Sequence, residues 1–471
     1  MLLSQVVSSL EVVEVIGDGD PNITGVTHDS RRVIGGTLFC CLPGAASDGH
    51  AFADQAVAAG AAALLCERAL PVAVPQIVTR DARRAMAVAA ATFWNHPADS
   101  LRMIGVTGTN GKTTTVSLIA AMLEANGVHA TSIGTLQGAR TTPESTDLQA
   151  QLAGLRDDGY TAVAMEVSSH ALVASRVDAI TYDVAAFTNL SHEHLDFHHT
   201  MEEYFAAKAE LFRPERALRA VICVDDDWGA RLAGLAVDRG VAVVRCSVRD
   251  VVIEAMEGAD TIFRWHGATG RLRLAGLHNV ANAVVAANVG ELVGLTPSQA
   301  LGGIDSIGVV AGRFEYVDAG QPFSVVVDYA HTPGALEVAL EAARSVVNGN
   351  GEVSVVVGCG GEKDRAKRPL MAAVCEAMAD HVVLTSDNPR HEDPRAILDE
   401  MRAGLRDPDG VIIEADRTTA IQRALAPARA GDLVLIAGKG HETTQTIGDE
   451  VIPFDDREVA RDALRVMGFD G

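Results

Sequence analysis

Residues 105–114, GVTGTNGKTT, bring glycines, a lysine and hydroxyl side chains together at the start of a predicted helix. A compact apolar strand precedes them, so backbone N–H groups and the helix N-terminus can converge on phosphate oxygens. Lys112 can neutralise β- and γ-phosphates, and the hydroxyl of Thr113 can bind Mg²⁺. Gly108 and Gly111 permit a close backbone approach that a Cβ atom would block. The segment therefore predicts a nucleotide-phosphate site.

The spacing of this loop departs from the strict GxxxxGK[ST] pattern, because Val106 stands where the first glycine belongs. The alternative interpretation is a glycine-rich turn that binds nothing. The Lys-Thr pair and the preceding strand favour the phosphate site.

Three units are expected to position these residues, because 471 residues exceed one core at roughly 150 residues per domain. Residues 1–98 predict a small N-terminal α/β domain. Residues 99–310 show the strand-loop-helix order of a central P-loop mononucleotide-binding domain with a mainly parallel sheet. Residues 311–471 alternate apolar strands with helical segments, which predicts a C-terminal Rossmann-like doubly wound domain. The predicted fold class is α/β.

Composition limits the partners. The formal net charge of -23 argues against nucleic acid or an anionic membrane as a general partner, so anionic ligands must be held by local positive clusters. The seven cysteines form no CxxC pair, which suits a reducing compartment. There is no signal-peptide pattern and no run of roughly 18 apolar residues, so we expect a cytoplasmic protein without membrane insertion. A monomer is expected.

The phosphate loop TGTNGKTT resembles that of the Mur ligases, and several separated stretches agree with the same family. In chain order these are THDSRRV, LPGAASDGH, TTPESTD, MEVSSHAL, FTNLSHEHLDFH, FAAKAELF, GRFE, DYAHTP, GGEKDRAKRP, DNPR and AGKGHE. The resemblance is greatest to the branch that adds meso-diaminopimelate. It implies an ATP-dependent acid–amino-acid ligase of peptidoglycan precursor synthesis, which activates UDP-N-acetylmuramoyl-L-alanyl-D-glutamate as an acyl phosphate and releases ADP and phosphate.

The resemblance also implies where ATP and metal bind. Lys112, Lys208 and His194 are expected to be catalytic, and Mg²⁺ ligands are expected at Thr113, Glu166, His194 and a carbamylated Lys208. A carbamate is an anion and can help hold a second Mg²⁺ that an ammonium would repel. Without the family, a carboxylate placed like Glu166 is about as often a helix-capping or solvent group as a ligand, and Lys208 is interpreted as an ordinary helix lysine. The implied ATP contacts are Gly108, Thr109, Asn110, Gly111, Lys112, Thr113, Thr114, Asn279, Asn282, Arg313, Asp328 and His331.

The acceptor substrate is assigned by the same resemblance to the first two units. The uridine diphosphate end is expected at Ser30 and Arg31, beside the turn at Asp48 to His50. The muramoyl-peptide and its diphosphate are expected at hydroxyl and guanidinium donors. These are Thr141, Thr142, Ser168 and Arg176. Ala174 stands where the family often has glutamine, so one amide hydrogen bond to the substrate is expected to be missing or replaced by water.

The incoming amino acid is assigned to the third unit. In Asp387-Asn388-Pro389-Arg390 the arginine can clamp the distal carboxylate of diaminopimelate, a group that lysine lacks. Gly438 and Glu442 are expected to receive the distal ammonium and carboxylate. Lys363 replaces an arginine usual in the family, which keeps the charge but loses a bidentate fork.

Other interpretations remain open at this stage. Within the ligases they are the lysine-adding enzyme, another Mur ligase, or a folylpolyglutamate synthetase. The segment HEHLDFH nearly matches the HxHxDH signature of metal-dependent hydrolases, although Phe197 breaks the spacing. A P-loop switch or motor ATPase is a further class, and no NKxD-type guanine signature accompanies the loop.

Overall fold

The computed structural model describes residues 1–44, 47–138, 140–257 and 260–470. Ala45 and Ala46, in the LPGAASDGH stretch, lie outside the described residues. Within the described part, no helix is long and apolar enough to cross a membrane. All seven cysteines are free and buried.

The first unit is a five-stranded sheet with helices against it, in the order β1-β5-β4-β3-β2. Only the pairing of β1 with β5 is antiparallel. The central strands are buried at nearly every position because helices cover the sheet. Its elements are α1 (Leu3–Val7), β1 (Glu14–Ile16), β2 (Gly25–Thr27), β3 (Thr37–Cys40), α2 (Ala53–Ala58), β4 (Ala61–Cys66), β5 (Gln76–Val78) and α3 (Ala82–Phe93).

The second unit contains a six-stranded parallel sheet, in the order β11-β10-β9-β6-β8-β7, and a smaller antiparallel sheet, β12-β13-β14. Its elements are β6 (Arg102–Thr107), α4 (Lys112–Ala125), β7 (Ala130–Ile133), α5 (Ser145–Asp157), β8 (Ala162–Glu166), α6 (Ser169–Val173), β9 (Val184–Phe187), α7 (Leu195–His198), α8 (Met201–Ala209), β10 (Arg219–Cys223), α9 (Asp227–Asp238), β11 (Ala242–Cys246), β12 (Val252–Glu257), β13 (Asp260–Trp265), β14 (Ala268–Leu272), α10 (Leu277–Leu292) and α11 (Pro297–Asp305).

The third unit is a second six-stranded sheet, in the order β15-β16-β20-β17-β18-β19, followed by a β-hairpin. Only β15 is antiparallel to its neighbour. Its elements are β15 (Glu315–Tyr316), β16 (Ser324–Asp328), α12 (Pro333–Val347), β17 (Val353–Cys359), α13 (Lys367–Met378), β18 (His381–Ser386), α14 (Pro394–Arg402), β19 (Ile412–Ile413), α15 (Arg417–Leu425), β20 (Leu433–Ala437), β21 (Thr444–Ile447), β22 (Glu450–Pro453) and α16 (Asp456–Val466).

The predicted α/β class with mostly parallel sheets in three units is confirmed. In the second and third units, runs of valine, isoleucine, leucine and alanine form the central strands, whose residues are buried on both faces by helices. Ligands of parallel sheets bind beyond the carboxyl ends of the strands. The phosphate loop follows β6, Glu166 ends β8, and the segments beginning at Asp387 and Gly438 follow β18 and β20.

A fully buried ion pair joins two strand ends of the third sheet. Arg417 makes two 2.7 Å hydrogen bonds to the carboxylate of Asp456, and neither side chain is exposed. The same guanidinium donates to the carbonyl oxygens of Ser386 and Ala437, at 3.2 and 2.9 Å. These carbonyls end β18 and β20, which are separated by β17. One side chain therefore ties together two strands that are not neighbours.

We predict that Arg417→Met destabilises the third unit by about 3–5 kcal/mol, because it leaves the Asp456 carboxylate buried without a partner. Thermal unfolding followed by calorimetry measures the loss as a lower melting temperature of that unit. Arg344→Met is the matched control, since Arg344 pairs with Asp380 at the surface and such pairs contribute about 1 kcal/mol or less. Equal melting temperatures for the two variants would contradict the assigned role.

Candidate active site

The carboxyl ends of the second and third sheets face one cleft of about 730 Å³. This cleft brings together residues that the sequence assigned to ATP, to the acceptor and to the amino acid. Those lining it are Thr109, Asn110, Gly111, Lys112, Thr113, Thr141, Thr142, Glu166, Ser168, Arg176, His194, Arg313, His331, Lys363, Asp387, Asn388, Arg390, Gly438 and Glu442.

The phosphate loop needs its glycines for space and for backbone conformation. Gly111 has φ +84°, and a Cβ atom there would lie 2.2 Å from Oδ1 of Asn282. A Cβ atom on Gly108 would lie 1.9 Å from Oγ1 of Thr188. The loop therefore packs directly against its supports, which leaves its other side open to a ligand.

Two lysines, the half-buried Lys112 and the buried Lys208, share one carbonyl group of this loop. Lys112 donates to the carbonyl oxygens of Gly108 and Thr109, at 2.9 and 2.8 Å. Lys208, which is 2% exposed, donates to the same oxygen of Gly108 at 2.7 Å. Burial lowers the pKa of both ammonium groups, and the charge of Lys112 lowers the pKa of Lys208 further. The loop thus holds positive charge that anionic oxygens would stabilise.

Thr113 lies at the centre of a hydrogen-bonded chain across two units. Its hydroxyl donates to Oε1 of Glu166 at 3.0 Å and accepts from Nη2 of Arg313 at 2.9 Å. Glu166 is buried and also accepts the backbone N–H of Thr135 at 2.8 Å. Arg313 belongs to the third unit and stacks over the ring of Tyr329, with 4.7 Å to the ring centroid. The third unit therefore contacts the phosphate loop directly.

His194 lies on the wall of the cleft in a crowded cationic environment. Desolvation, followed by the charges of His170, Lys112 and Lys208, lowers its pKa to about 3. Its ring packs edge-on against that of His170, with centroids 4.7 Å apart. The imidazole is therefore neutral at ordinary pH, the form that can bind a metal.

The rival metal-hydrolase interpretation requires several ligands around one point. Nε2 of His198 lies 2.8 Å from the hydroxyl of Ser169 and the ring is buried, so this histidine has a structural partner. Among the described residues, no group of three or more histidine, cysteine, aspartate or glutamate side chains is arranged to hold a metal. This arrangement does not support a dinuclear hydrolase centre in the HEHLDFH segment.

The residues assigned to the acceptor substrate are held in place by a carboxylate that was not singled out from the sequence. Glu144 pairs with Arg176 at 2.7 Å and also with Arg140. Arg176 donates in addition to the carbonyl oxygen of Thr142 at 3.2 Å. The hydroxyl of Thr142 in turn donates to the carbonyl oxygen of Glu166 at 2.9 Å. Glu144 was identifiable only as part of the TTPESTD stretch, since its partners are distant in sequence or lie in a loop.

The first unit contacts the second along α5 rather than in the cleft, since α3 packs against this helix and Nη1 of Arg156 donates to the carbonyl oxygen of Trp94 at 3.0 Å. Nδ1 of His28 lies 3.3 Å from the hydroxyl of Thr146, and Arg32 pairs with Asp147 at 2.6 Å. Ser30 and Arg31 lie between these contacts but outside the lining of the cleft. The side chain of Arg31 is 84% exposed and pairs with Asp29. Their assignment to the uridine diphosphate end remains a prediction.

The Asp48 to His50 turn is held by its own contacts. Nδ1 of the buried His50 lies 2.6 Å from Asp48, and its Nε2 accepts the backbone N–H of Glu67. Arg68 pairs with the same aspartate at 2.6 Å. These bonds fix the turn as a rigid part of the first unit.

Other residues assigned to ATP lie behind the cleft. Asn279 and Asn282 are buried at the start of α10, where Asn282 supports Gly111. Asp328 accepts two backbone N–H groups, each at 2.7 Å, and burial raises its pKa. Gly108 and Thr114 also stand outside the cleft lining. The same is true of Pro389, which was assigned to the amino acid, and of Lys208, which was assigned to catalysis and metal binding.

His331 lines the cleft itself, and burial lowers its pKa to about 4. Its Nδ1 lies 2.8 Å from the carbonyl oxygen of Tyr329, and its own carbonyl accepts Nζ of Lys367 at 2.8 Å. Lys367 also lines the cleft and was not singled out from the sequence, although it lies within GGEKDRAKRP.

The loops after β18 and β20 meet at the far end of the cleft. Asn388 donates to Glu442 at 2.8 Å, which joins the DNPR loop to the AGKGHE loop. Arg390 has φ +52° and donates to the carbonyl oxygen of Gly361 at 2.6 Å. Lys363 lines the cleft beside them. The residues assigned to the amino acid therefore form one patch.

The second unit is a P-loop domain, and its phosphate loop opens towards the doubly wound third unit. This combination defines the class of the protein. Family models match along the chain: the Mur ligase family catalytic domain at residues 22–95, the Mur ligase middle domain at 106–290, and the Mur ligase glutamate ligase domain at 312–440. The chain belongs to the Mur ligase family.

Individual relatives span nearly the whole chain. The UDP-N-acetylmuramoyl-L-alanyl-D-glutamate--2,6-diaminopimelate ligase of Streptomyces coelicolor is 45% identical over 478 residues, covering 95% of this chain and 94% of its own. The enzyme of the same name from Geobacillus kaustophilus is 44% identical over 491 residues, covering 99% and 100%. A solved structure of a ligase with that name is 32% identical, with a TM-score of 0.66 and 95% of each chain covered.

We predict that Gly111→Ala weakens nucleotide binding at least about tenfold, because the new Cβ atom forces the strained loop away from Asn282. Isothermal titration with a non-hydrolysable ATP analogue measures the effect. Gly127→Ala is the matched control at the other end of α4: its φ is also positive, +79°, but no atom lies within 4 Å of the added Cβ. Unchanged affinity in Gly111→Ala would show that the loop does not bind the nucleotide.

Proposed function

We propose that this chain is an ATP-dependent ligase that joins meso-diaminopimelate to UDP-N-acetylmuramoyl-L-alanyl-D-glutamate and releases ADP and phosphate. The observation that best supports this proposal is that three segments open onto one cleft: the phosphate loop, the wall that contains Thr142 and Arg176, and the DNPR loop. The names of the relatives, which span nearly the whole chain, support the choice of substrates.

Charge is the central problem of this reaction. A carboxylate must be brought to the γ-phosphate of ATP and converted to an acyl phosphate, whose phosphate is a far better leaving group than oxide. Both reactants are anionic, so the barrier falls only where positive charge is fixed beforehand. Lys112, held on the loop carbonyls, is the cation best placed to neutralise the phosphates as they arrive.

The oxygens of Thr113 and Glu166, 3.0 Å apart, fit the preference of Mg²⁺ for hydroxyl and carboxylate ligands completed by phosphate oxygens and water. Bound there, Mg²⁺ would add positive charge at the phosphates. His194, neutral in its environment, is the proposed further ligand.

Lys208 is the proposed carbamate. Two ammonium groups on the carbonyl of Gly108 repel each other. Addition of CO2 to the neutral amine of Lys208 would form an N–C bond, release one proton and give an anion, which would remove that repulsion. The carbamate would then face Lys112 and the metal side of the loop as an oxygen ligand.

The acceptor is proposed to lie along the wall formed by Thr141, Thr142, Ser168 and Arg176, with its uridine diphosphate end reaching the first unit at Ser30 and Arg31. Arg176, fixed by Glu144, presents a charge-assisted donor to the substrate. Because Ala174 stands where the family often has glutamine, no side-chain amide assists Arg176 in binding the substrate.

The amino acid is proposed to bind against Asp387, Asn388, Pro389, Arg390, Gly438 and Glu442, with Lys363 nearby. Arg390 would hold the distal carboxylate and Glu442 the distal ammonium. A lysine substrate would leave Arg390 without a carboxylate, which favours diaminopimelate over the lysine-adding alternative.

Closure of the third unit is proposed to complete the ATP site. Arg313 already donates to Thr113 across the boundary between the second and third units. The ATP site is supported from the second unit by Asn279 and Asn282, and from the third unit by Asp328 and His331. Excluding water protects an acyl phosphate from hydrolysis until the amine attacks. We place this reaction in the cytoplasm and assign it to the monomer.

The deciding assay incubates the protein with ATP, Mg²⁺ and UDP-N-acetylmuramoyl-L-alanyl-D-glutamate, with diaminopimelate, lysine or no amino acid. ADP release and formation of the extended peptide that both require diaminopimelate are the expected result. Lysine-dependent turnover would identify the lysine-adding alternative. Turnover without any amino acid would favour a P-loop ATPase.

Lys112→Ala is expected to reduce ADP release at least about 100-fold with the fold intact, because it removes the charge that neutralises the transferring phosphoryl group. Coupled ADP detection measures the rate, and circular dichroism checks the fold. Arg102→Ala is the control, since it removes an exposed cation from the opposite end of β6. Normal turnover by Lys112→Ala would refute the phosphate site.

Arg390→Ala is expected to raise KM for diaminopimelate by roughly ten- to a hundredfold, the equivalent of a charged hydrogen bond of about 1.5–3 kcal/mol. KM for ATP should stay within about twofold, because Arg390 does not contact the phosphate loop. Arg395→Ala, an exposed arginine at the start of α14, is the matched control. Equal increases for both substrates would count against a role in amino-acid recognition.

A further inference from the structure

Lys439 is a buried cation at the base of the patch assigned to the amino acid. Its side chain is fully buried, so it does not touch a ligand in the cleft. Nζ lies 3.1 Å from Oε2 of Glu442, 3.2 Å from Oδ1 of Asn388 and 3.8 Å from Oδ1 of Asp387. Three of the residues proposed to receive the amino acid therefore share one hidden ammonium.

Two other buried cations of the third unit, Arg368 and Arg417, do not contribute net positive charge. Arg368 pairs with two carboxylates, at 2.9 and 2.8 Å. Arg417 carries its own counter-ion, because the carboxylate of Asp456 binds it through two 2.7 Å hydrogen bonds. Lys439 differs, since its carboxylate neighbours face the cleft: Glu442 keeps 32% of its side-chain surface exposed and Asp387 keeps 10%. Lys439 thus sets the charge that a ligand meets.

We propose that Lys439 is a specificity-determining residue, which selects an amino acid with a second carboxylate by raising the charge of the patch by one unit. This inference rests on the proposed ligase function and deepens it. With both carboxylates ionised, Asp387 and Glu442 contribute two negative charges, while Lys363, Arg390 and Lys439 contribute three positive charges. The patch therefore carries a net charge of about +1.

That charge matches one candidate substrate better than the other. An amino group attacks only as the free amine. Diaminopimelate in that form retains two carboxylates and one ammonium, a net charge of -1, whereas lysine retains one of each and is neutral. Replacing Lys439 by an uncharged side chain makes the patch neutral, which favours neutral lysine relative to diaminopimelate.

Lys439 also opposes protonation of its neighbour. Burial raises the pKa of Asp387, and the charges of Arg417 and Lys439 act in the opposite direction. The hydrogen bond to Asn388 adds a positional role, since Asn388 also donates to Glu442. If Lys439 had only a structural role, it would hold these loops in place but would not affect the preference of the enzyme for diaminopimelate over lysine.

The test compares Lys439→Met and Lys439→Gln with the unmodified protein, measuring kcat/KM for diaminopimelate and lysine and KM for ATP. The expected result is a fall of at least about tenfold in the diaminopimelate-to-lysine ratio, with KM for ATP changed less than about twofold. Lys439→Gln, which retains a donor but no charge, is expected to shift the ratio like Lys439→Met. Arg344→Met, which removes a surface cation of the same unit, is the matched control.

An unchanged ratio, or equal losses for diaminopimelate, lysine and ATP, would overturn the proposal and leave Lys439 as a structural residue. If neither variant folds, Glu442→Gln shifts the patch charge in the opposite direction and must lower lysine use more than diaminopimelate use. The opposite order would overturn the proposal. Failure of the unmodified protein to ligate any amino acid would instead refute the proposed function.

Discussion

The constraint on which the site depends is the concentration of positive charge around one carbonyl group. Lys112 and Lys208 both donate to the oxygen of Gly108, and Arg313 reaches the adjacent Thr113 from another unit. Like charges this close are unfavourable, so the arrangement is stable only where rigid dipoles hold it and where bound anions, or the proposed conversion of Lys208 to a carbamate, balance the charge. The site is thus built for the several anionic oxygens that phosphoryl transfer brings together.

The positions of the lysines in the chain follow the same concentration of positive charge. The sequence has five lysines among 39 basic residues. Lys112, Lys363 and Lys367 line the cleft, and Lys208 and Lys439 are buried beside it. Arginine carries the surface ion pairs elsewhere in the chain, as at Arg68 and Arg231. In a protein with a net charge of -23, the compact ammonium group is thus used where its charge and reactivity matter.

Local patterns made part of this architecture predictable. The phosphate loop could be read from sequence because its strand, glycines and helix start follow one another within a few residues. The buried strands were visible as short apolar runs. The long-range partnerships of Glu144, Lys439 and Arg417 were not predictable, because each depends on a side chain that the fold brings close from a distant part of the chain. Asp456, the partner of Arg417, lies 39 positions away, and no periodicity marks such a pair.

Ser30 and Arg31 lie outside the cleft, beside the contact between the first and second units. The first unit contacts the second along α5: α3 packs against this helix, His28 and Arg32 bind at its start, and Trp94 binds near its end. Glu144 directly precedes the same helix. Arg176, which pairs with Glu144, therefore lies at one end of the segment whose other contacts hold the first unit. Because the third unit reaches the same cleft through Arg313, both outer units are connected to the phosphate loop through short rigid paths. A change in the position of either outer unit would therefore alter the surroundings of Thr113 or Arg176.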